Sequence, residues 1–131
     1  MNGNSENMDI IKTIDIVIWE RNFSLPVIYD CYEGEIITAQ QIEVVKNFVA
    51  HKDWVANSKI KVEKFCKADV MADDDNHSKD NIFSYVKPHY LFIKRDEVGA
   101  RVFLICKYRY NEDGLEIIFE SDGTAIVGLQ E

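Results

Sequence analysis

The stretch RVFLICKYRYNEDGLEIIFE, residues 101–120, decides how this chain folds. Val102 to Cys106 run apolar without a break. Successive side chains of an extended chain point to opposite faces, so Val102, Leu104 and Cys106 fall on one face and Phe103 and Ile105 on the other. A strand apolar on both faces belongs inside a sheet, and the pattern predicts one over Arg101 to Tyr110. Asn111 to Gly114 then supply a four-residue turn in which Gly114 is free to take positive φ. Leu115, Ile117 and Phe119 alternate with Glu116, Ile118 and Glu120, the period of a returning strand. In this reading Tyr108 and Tyr110 share one face of the rising strand, and Lys107 and Arg109 share the other. Asp122-Gly123 marks a further tight turn, and Thr124 to Leu129 reads as the last strand.

Working outward, Tyr90 to Arg95 reads as a strand turned by Asp96 to Gly99, with Ile82 to Val86 as a short strand before Pro88 restarts the chain. At the other end, Ile10, Ile14, Ile16 and Ile18 fall on alternate positions, as do Phe23, Leu25, Val27 and Tyr29. Glu20, Arg21 and Asn22 lie between, so the pair reads as a hairpin. Pro26 has no amide hydrogen for a ladder, which places the second strand at a sheet edge or a bulge. Between the two β regions, Thr38 with Gln41 three residues later forms a capping box. Ile42, Val45, Phe48 and Val49 follow at helical spacing as one apolar stripe, and His51 suits the negative end of that helix. A second helix is expected from Trp54 or Ser58 to Val70. Val62, Phe65 and Cys66 would face inward, and Lys59, Lys61, Glu63, Lys64 and Lys67 mostly outward. The order predicts an α+β fold: an antiparallel sheet, made of an N-terminal hairpin plus a C-terminal β-meander, with two helices packed on one face. Residues 1–9 are expected to be a disordered N-terminal tail and residues 10–131 a single α+β domain.

The chain has 131 residues, of which 47% are hydrophobic, enough for one domain to bury a core without disulfide or metal. Its net charge is -8, from 15 Lys and Arg against 23 Asp and Glu. That balance argues against nucleic acid, which is gripped by cations that displace counterions from phosphate. It suits steering toward a basic protein partner. The first residues lack a basic region followed by an apolar run, and Val102 to Cys106 is too short to span a bilayer, so no membrane partner is expected. Three cysteines, Cys31, Cys66 and Cys106, lie far apart in no paired motif, which predicts reduced thiols and a cytoplasmic protein.

Residues that carry chemistry are sparse. Asp73, Asp74, Asp75, Asn76, His77 and Asp80 present oxygens for calcium, but an EF-hand loop from Asp73 would place Ser78 where glycine is needed and Ser84 where the bidentate glutamate is needed. A solvated acidic loop is the simpler account. Cys66 and Cys106 fall on apolar faces and read as small core residues. Lys59, Lys61, Lys64 and Lys67 read as a solvated helix face. No phosphate-binding glycine loop, HExxH or nucleophile motif occurs. No catalytic residue, metal ligand or cofactor is therefore expected. The candidate binding residues are Lys107, Tyr108, Arg109 and Tyr110, because tyrosine and arginine are favoured at protein interfaces. The structural alternative packs the tyrosines across neighbouring strands and pairs Arg109 with Glu116 or Glu120.

The same hairpin resembles an uncharacterised bacterial family of unknown function. The pattern is an apolar strand ending in Lys107-Tyr108-Arg109-Tyr110, then an acidic turn with Asp113-Gly114, then Leu115, Ile117 and Phe119 at alternate positions. Tyr85 to Pro88 and Leu91 to Asp96 are also similar, so the resemblance covers roughly the last fifty residues. The acidic turn of family members often carries a His before the glycine; Asp113 stands there here, and no metal or acid–base role transfers. The resemblance implies no activity. Small acidic α+β proteins are similar in size and charge to bacterial immunity proteins, which bind and neutralise toxins. The expectation is a non-enzymatic protein-interaction module. The alternative is a small ligand-binding domain or enzyme with a pocket between helices and sheet, lined by Tyr85, His89 and Tyr108. A third reading pairs the Pro26 strand and Ile28 between two copies.

Overall fold

The computed structural model describes residues 9–31, 34–71, 82–95 and 101–130. The acidic segment Ala72 to Asn81, the turn Asp96 to Gly99 and the residues before Asp9 lie outside them. Six strands and two helices follow in the order β1 (Asp9–Ile18), β2 (Arg21–Asp30), α1 (Ala39–Ala50), α2 (Lys52–Met71), β3 (Val86–Ile93), β4 (Val102–Tyr108), β5 (Asn111–Phe119) and β6 (Ala125–Leu129). The strands form one sheet in sequence order, β1-β2-β3-β4-β5-β6. The α+β class is as expected. The strand pairs are antiparallel except β2 with β3, which run parallel through three partners, Val27–Leu91, Ile28–Phe92 and Tyr29–Ile93. The connection through α1 and α2 carries the chain back to the starting end of β2, so β3 enters in the same direction.

The register stacks the sheet into alternating rows. Val27, Leu91, Leu104 and Ile117 are cross-strand partners, all with 0% exposure, and the row ends at Val127. This face carries the helices: the Phe48 ring lies 5.1 Å from that of Phe119, and Val62 and Cys66 of α2 are fully buried. Burial of such side chains contributes roughly 1.5–3 kcal/mol each. β4 is central and buried on both faces, as its sequence predicts.

α1 begins with the expected capping box. Thr38 Oγ1 accepts from the Gln41 backbone N–H at 3.0 Å, and Gln41 Oε1 accepts from the Thr38 N–H at 2.9 Å. Gln41 is itself buried, and its Nε2 donates to Asp30 O at 3.0 Å and Ile93 O at 3.2 Å. One amide thus caps the helix and ties together the ends of the parallel strands. The apolar stripe of α1 is rotated from the predicted one: Val44, Val45 and Phe48 are buried with Gln41, while Ile42 and Val49 are exposed. α2 starts at Lys52, directly after the cap residue His51, earlier than Trp54 or Ser58.

Several expected boundaries are corrected. β1 begins at Asp9, inside the expected tail. The first hairpin turns through two residues, Trp19 and Glu20, so Arg21 and Asn22 belong to β2. The Pro26 strand is neither an edge nor bulged at Pro26; the edges are β1 and β6. Ile18 and Arg21 flank the two-residue turn as a bonded pair, so Thr13 and Pro26, five steps on, face each other at a non-bonded position. On the other side β3 joins only from Val27, so the proline interrupts no ladder. Edge pairing between copies through Pro26 and Ile28 is thereby excluded. Ile82–Ser84 is a short 3₁₀ helix, not a strand, and Pro88 lies within β3. A bulge at His89 shifts the register between Pro88 and Tyr90.

Candidate functional site

The predicted hairpin turns two residues earlier than its sequence suggests. Tyr108 pairs with Asn111, so Arg109 and Tyr110 form the turn and Glu112, Asp113 and Gly114 bulge in β5. Gly114 has φ of 97°, and a Cβ there would stand 2.5 Å from the Cys106 carbonyl oxygen. The main chain therefore needs glycine to cross this bulge. Asn111 Nδ2 donates to the carbonyls of Gly114 at 2.6 Å and Gln130 at 3.0 Å, holding the bulge against the end of β6.

The four candidate residues do not form one surface. Tyr108 is 5% exposed and packs in the core. Tyr110 is half-buried, its ring 5.7 Å from Tyr108 and 5.4 Å from Tyr85, both edge-on. Arg109 is exposed and lays its guanidinium 4.9 Å from the centre of the Tyr85 ring, while its N–H donates to Tyr85 O at 3.1 Å. Among the described residues Arg109 makes no ion pair with Glu116 or Glu120; Glu120 instead stands 3.8 Å from Arg101. Lys107 is exposed. The tyrosines thus anchor the turn from within, and Lys107 and Arg109 are the exposed members of the four.

The helix-free face of the sheet carries the larger apolar feature. Ile28, Phe92, Phe103, Ile118 and Ile126 are consecutive cross-strand partners across five strands. Phe103 is only 7% exposed, shielded by Lys94 Nζ at 5.0 Å and Arg101 Cζ at 5.4 Å from its ring centre. Lysine and arginine stems commonly cover apolar surface in this way. Ile28, Phe92 and Ile118 are half-buried, and Ile126 is 49% exposed.

On the helix side lies a cavity of about 860 Å³, between the β1–β2 hairpin and the junction of α1 and α2. Ile16, Trp19, Phe23, Phe48, Val49 and Val55 supply its apolar walls, and Lys52, Lys59 and Glu20 also line it. A pocket between helices and sheet is thus present, but Tyr85, His89 and Tyr108 are not among its lining. Tyr85 and Tyr108 are core residues, and His89 is exposed on the β3 bulge. His89 and Tyr108 border a different concavity of about 390 Å³, together with Lys107, Asp113 and Gln130. Gln130 Oε1 is enclosed there without a hydrogen-bond partner among the described residues.

The remaining candidates resolve into structure. Cys31, Cys66 and Cys106 are all buried thiols. Burial pushes the Cys106 thiol far above its ordinary range, with neighbouring Cys66 adding to the shift. Burial also raises Cys31, partly offset by Arg95, whose Nη1 lies 3.6 Å from Cys31 Sγ. Neither is inclined to form the nucleophilic thiolate. Arg95 also donates to Ile36 O at 2.8 Å and meets Glu35 at 3.2 Å, pinning the chain after β2 to the end of β3. The lysine stripe of α2 is broken up: Lys59 pairs with Glu20 at 3.3 Å, and Lys61 donates to Ala125 O at 2.8 Å. His51 stacks on Trp54 at 4.4 Å between centres, with Nδ1 2.7 Å from Asn47 O. No cluster of three metal-ligating side chains occurs among the described residues, and no helix there is long and apolar enough to cross a membrane. No family model matches the chain, and no curated protein or solved structure matches it either.

The apolar row and the cavity are the features that reading along the chain missed. The signal for the row was present in Phe103, Ile105 and Ile118, which place apolar groups on the second face of two adjacent strands. The cavity had no local signal, because its walls come from two segments more than twenty residues apart.

Proposed function

We propose that this chain is a non-enzymatic protein-interaction module that meets a basic protein partner through the helix-free face of its sheet. The observation that supports this most directly is the continuous row Ile28, Phe92, Phe103, Ile118 and Ile126. Apolar side chains aligned across five strands on a face without a helix suit a flat partner surface. Lys94, Arg101, Glu116 and Glu120 border the row with both signs of charge, the polar rim such contacts require. The net charge of -8 acts at longer range and favours encounter with a cationic partner. An immunity-like role, in which the module covers and silences a basic toxin, is the sharpest form of this reading; it rests on size and charge alone.

The test is affinity capture from the native cell followed by titration with the identified partner. Ile126→Arg, at an exposed position of β6, is compared with Lys107→Ala/Arg109→Ala. Saturable binding lost in Ile126→Arg, with unchanged circular dichroism and melting, supports the sheet face. Loss only in the double variant moves the site to the hairpin. A wild-type chain that captures no saturable protein partner ends the proposal.

A further inference from the structure

The cavity under the first hairpin has a shape, a wall and a charge that together select a ligand. Its volume of about 860 Å³ lies within the range of small-molecule sites. Its walls are largely apolar and aromatic, and Trp19 is one of them. That residue takes φ of 50° and Glu20 takes φ of 73°, left-handed backbone that a bulky side chain rarely adopts. Tertiary contacts hold the arrangement. Trp19 Nε1 donates to Ser58 Oγ at 3.1 Å, Ser58 Oγ donates to Val55 O at 2.6 Å, and the Trp19 and Phe83 ring centres are 4.9 Å apart. Backbone held out of its preferred range by surrounding contacts concentrates at ligand sites.

The charges at this cavity are unequal in their engagement. Glu20 and Lys59 satisfy one another at 3.3 Å. Asp15 also lines the cavity, from the β1 position next to the wall residue Ile16. Lys52 lines the cavity and is exposed, and its side chain has no ion pair or hydrogen bond among the described residues. It is also the first residue of α2, where the helix dipole disfavours a cation. Its acidic neighbour Asp53 lines a different concavity, beside Trp54 and Gly123. An anion in the cavity would give Lys52 a partner that the described residues do not supply.

We infer that the cavity between the β1–β2 hairpin and the α1–α2 junction binds an amphipathic anion, its alkyl chain against Ile16, Phe23, Phe48 and Val55 and its carboxylate at Lys52. A medium-chain carboxylate is the simplest ligand of that chemistry. The site lies on the helix side of the sheet, away from the proposed protein-binding face, and the two stand or fall separately.

The experiment is calorimetric titration of the whole chain with octanoate, decanoate, decanol and decyltrimethylammonium, each below its aggregation concentration. Decanoate should bind one per chain. Each methylene should add roughly fourfold to affinity, so decanoate should exceed octanoate by about tenfold or more. Lys52→Ala should weaken decanoate about tenfold and leave decanol unchanged, and the alkylammonium should bind more weakly than either. Ala56→Trp fills the cavity from an exposed position and should abolish binding with normal circular dichroism; Val49→Trp serves if that variant misfolds. No binding of decanoate, or binding that survives a folded cavity-filling variant, overturns the site. Equal binding of the alkylammonium, or indifference to Lys52→Ala, overturns the assignment of an anion.

Discussion

Gln41 shows how much one side chain can hold. Its carbonyl oxygen caps α1, and its amide hydrogens reach the last carbonyls of β2 and β3. Gln41→Ala removes the side-chain half of the capping box, keeping the Thr38 hydroxyl bond to the backbone, and leaves the Asp30 and Ile93 carbonyls without their donor. A loss of about 2–4 kcal/mol is expected in urea unfolding, well beyond that of an exposed cap. The sequence spacing of Thr38 and Gln41 announced the cap; nothing local announced the reach to Ile93, which lies 52 residues away. Two glycines offer an internal comparison. Gly34 and Gly114 both have positive φ, but a Cβ at Gly34 meets nothing within 4 Å, whereas at Gly114 it meets a backbone oxygen at 2.5 Å. Gly34→Ala should cost about 1 kcal/mol of backbone strain, and Gly114→Ala should cost at least 2–3 kcal/mol because main chain cannot swing aside. Chemical denaturation of the two variants side by side separates conformation from collision.

Among the elements, the β1–β2 turn is built from residues its conformation does not favour. Two-residue hairpin turns of this hand prefer Asn-Gly, and here the central pair is Trp19-Glu20. Glu20→Gly would relieve one left-handed residue at the expense of an exposed ion pair with Lys59, and a gain of about 0.5–1 kcal/mol is expected in thermal melting. That turn was hard to place from sequence because no turn-forming residue marks it. The β4–β5 turn misled in the opposite way: Asn-Glu-Asp-Gly reads as a turn, yet Asn111 pairs with Tyr108, the next three residues form a bulge and the chain reverses at Arg109-Tyr110. Period-two alternation located the strands well, since burial on one face writes itself into every second residue. It carried no information on which strand lies beside which. The parallel placement of β3 against β2, and the interior position of the Pro26 strand, depend on a crossover that no short window contains.

For the molecule as a whole, burial of ionisable groups sets an alkaline limit. Cys31, Cys106 and Tyr29 are raised, chiefly by desolvation. Below their unfolded values, near 9.0 for the thiols, they are protonated in both states and stability does not depend on them. As pH rises past that point the unfolded chain releases protons that the folded chain retains, so stability falls until the folded values are reached. Unfolding free energies from urea titrations at about pH 8 and about pH 10 should differ by about 1–2 kcal/mol for Cys106. The seam between β2 and β3 carries a different consequence. The sheet consists of an N-terminal ladder and a C-terminal ladder joined through only three paired positions, Val27 to Tyr29 with Leu91 to Ile93, and braced by Gln41. Such a boundary divides a native state into units that open separately. Backbone amides of β1 should therefore exchange with solvent deuterons through an opening of the first hairpin alone, while those of β4 and β5 wait for global unfolding. Gln41→Ala should widen that gap in protection.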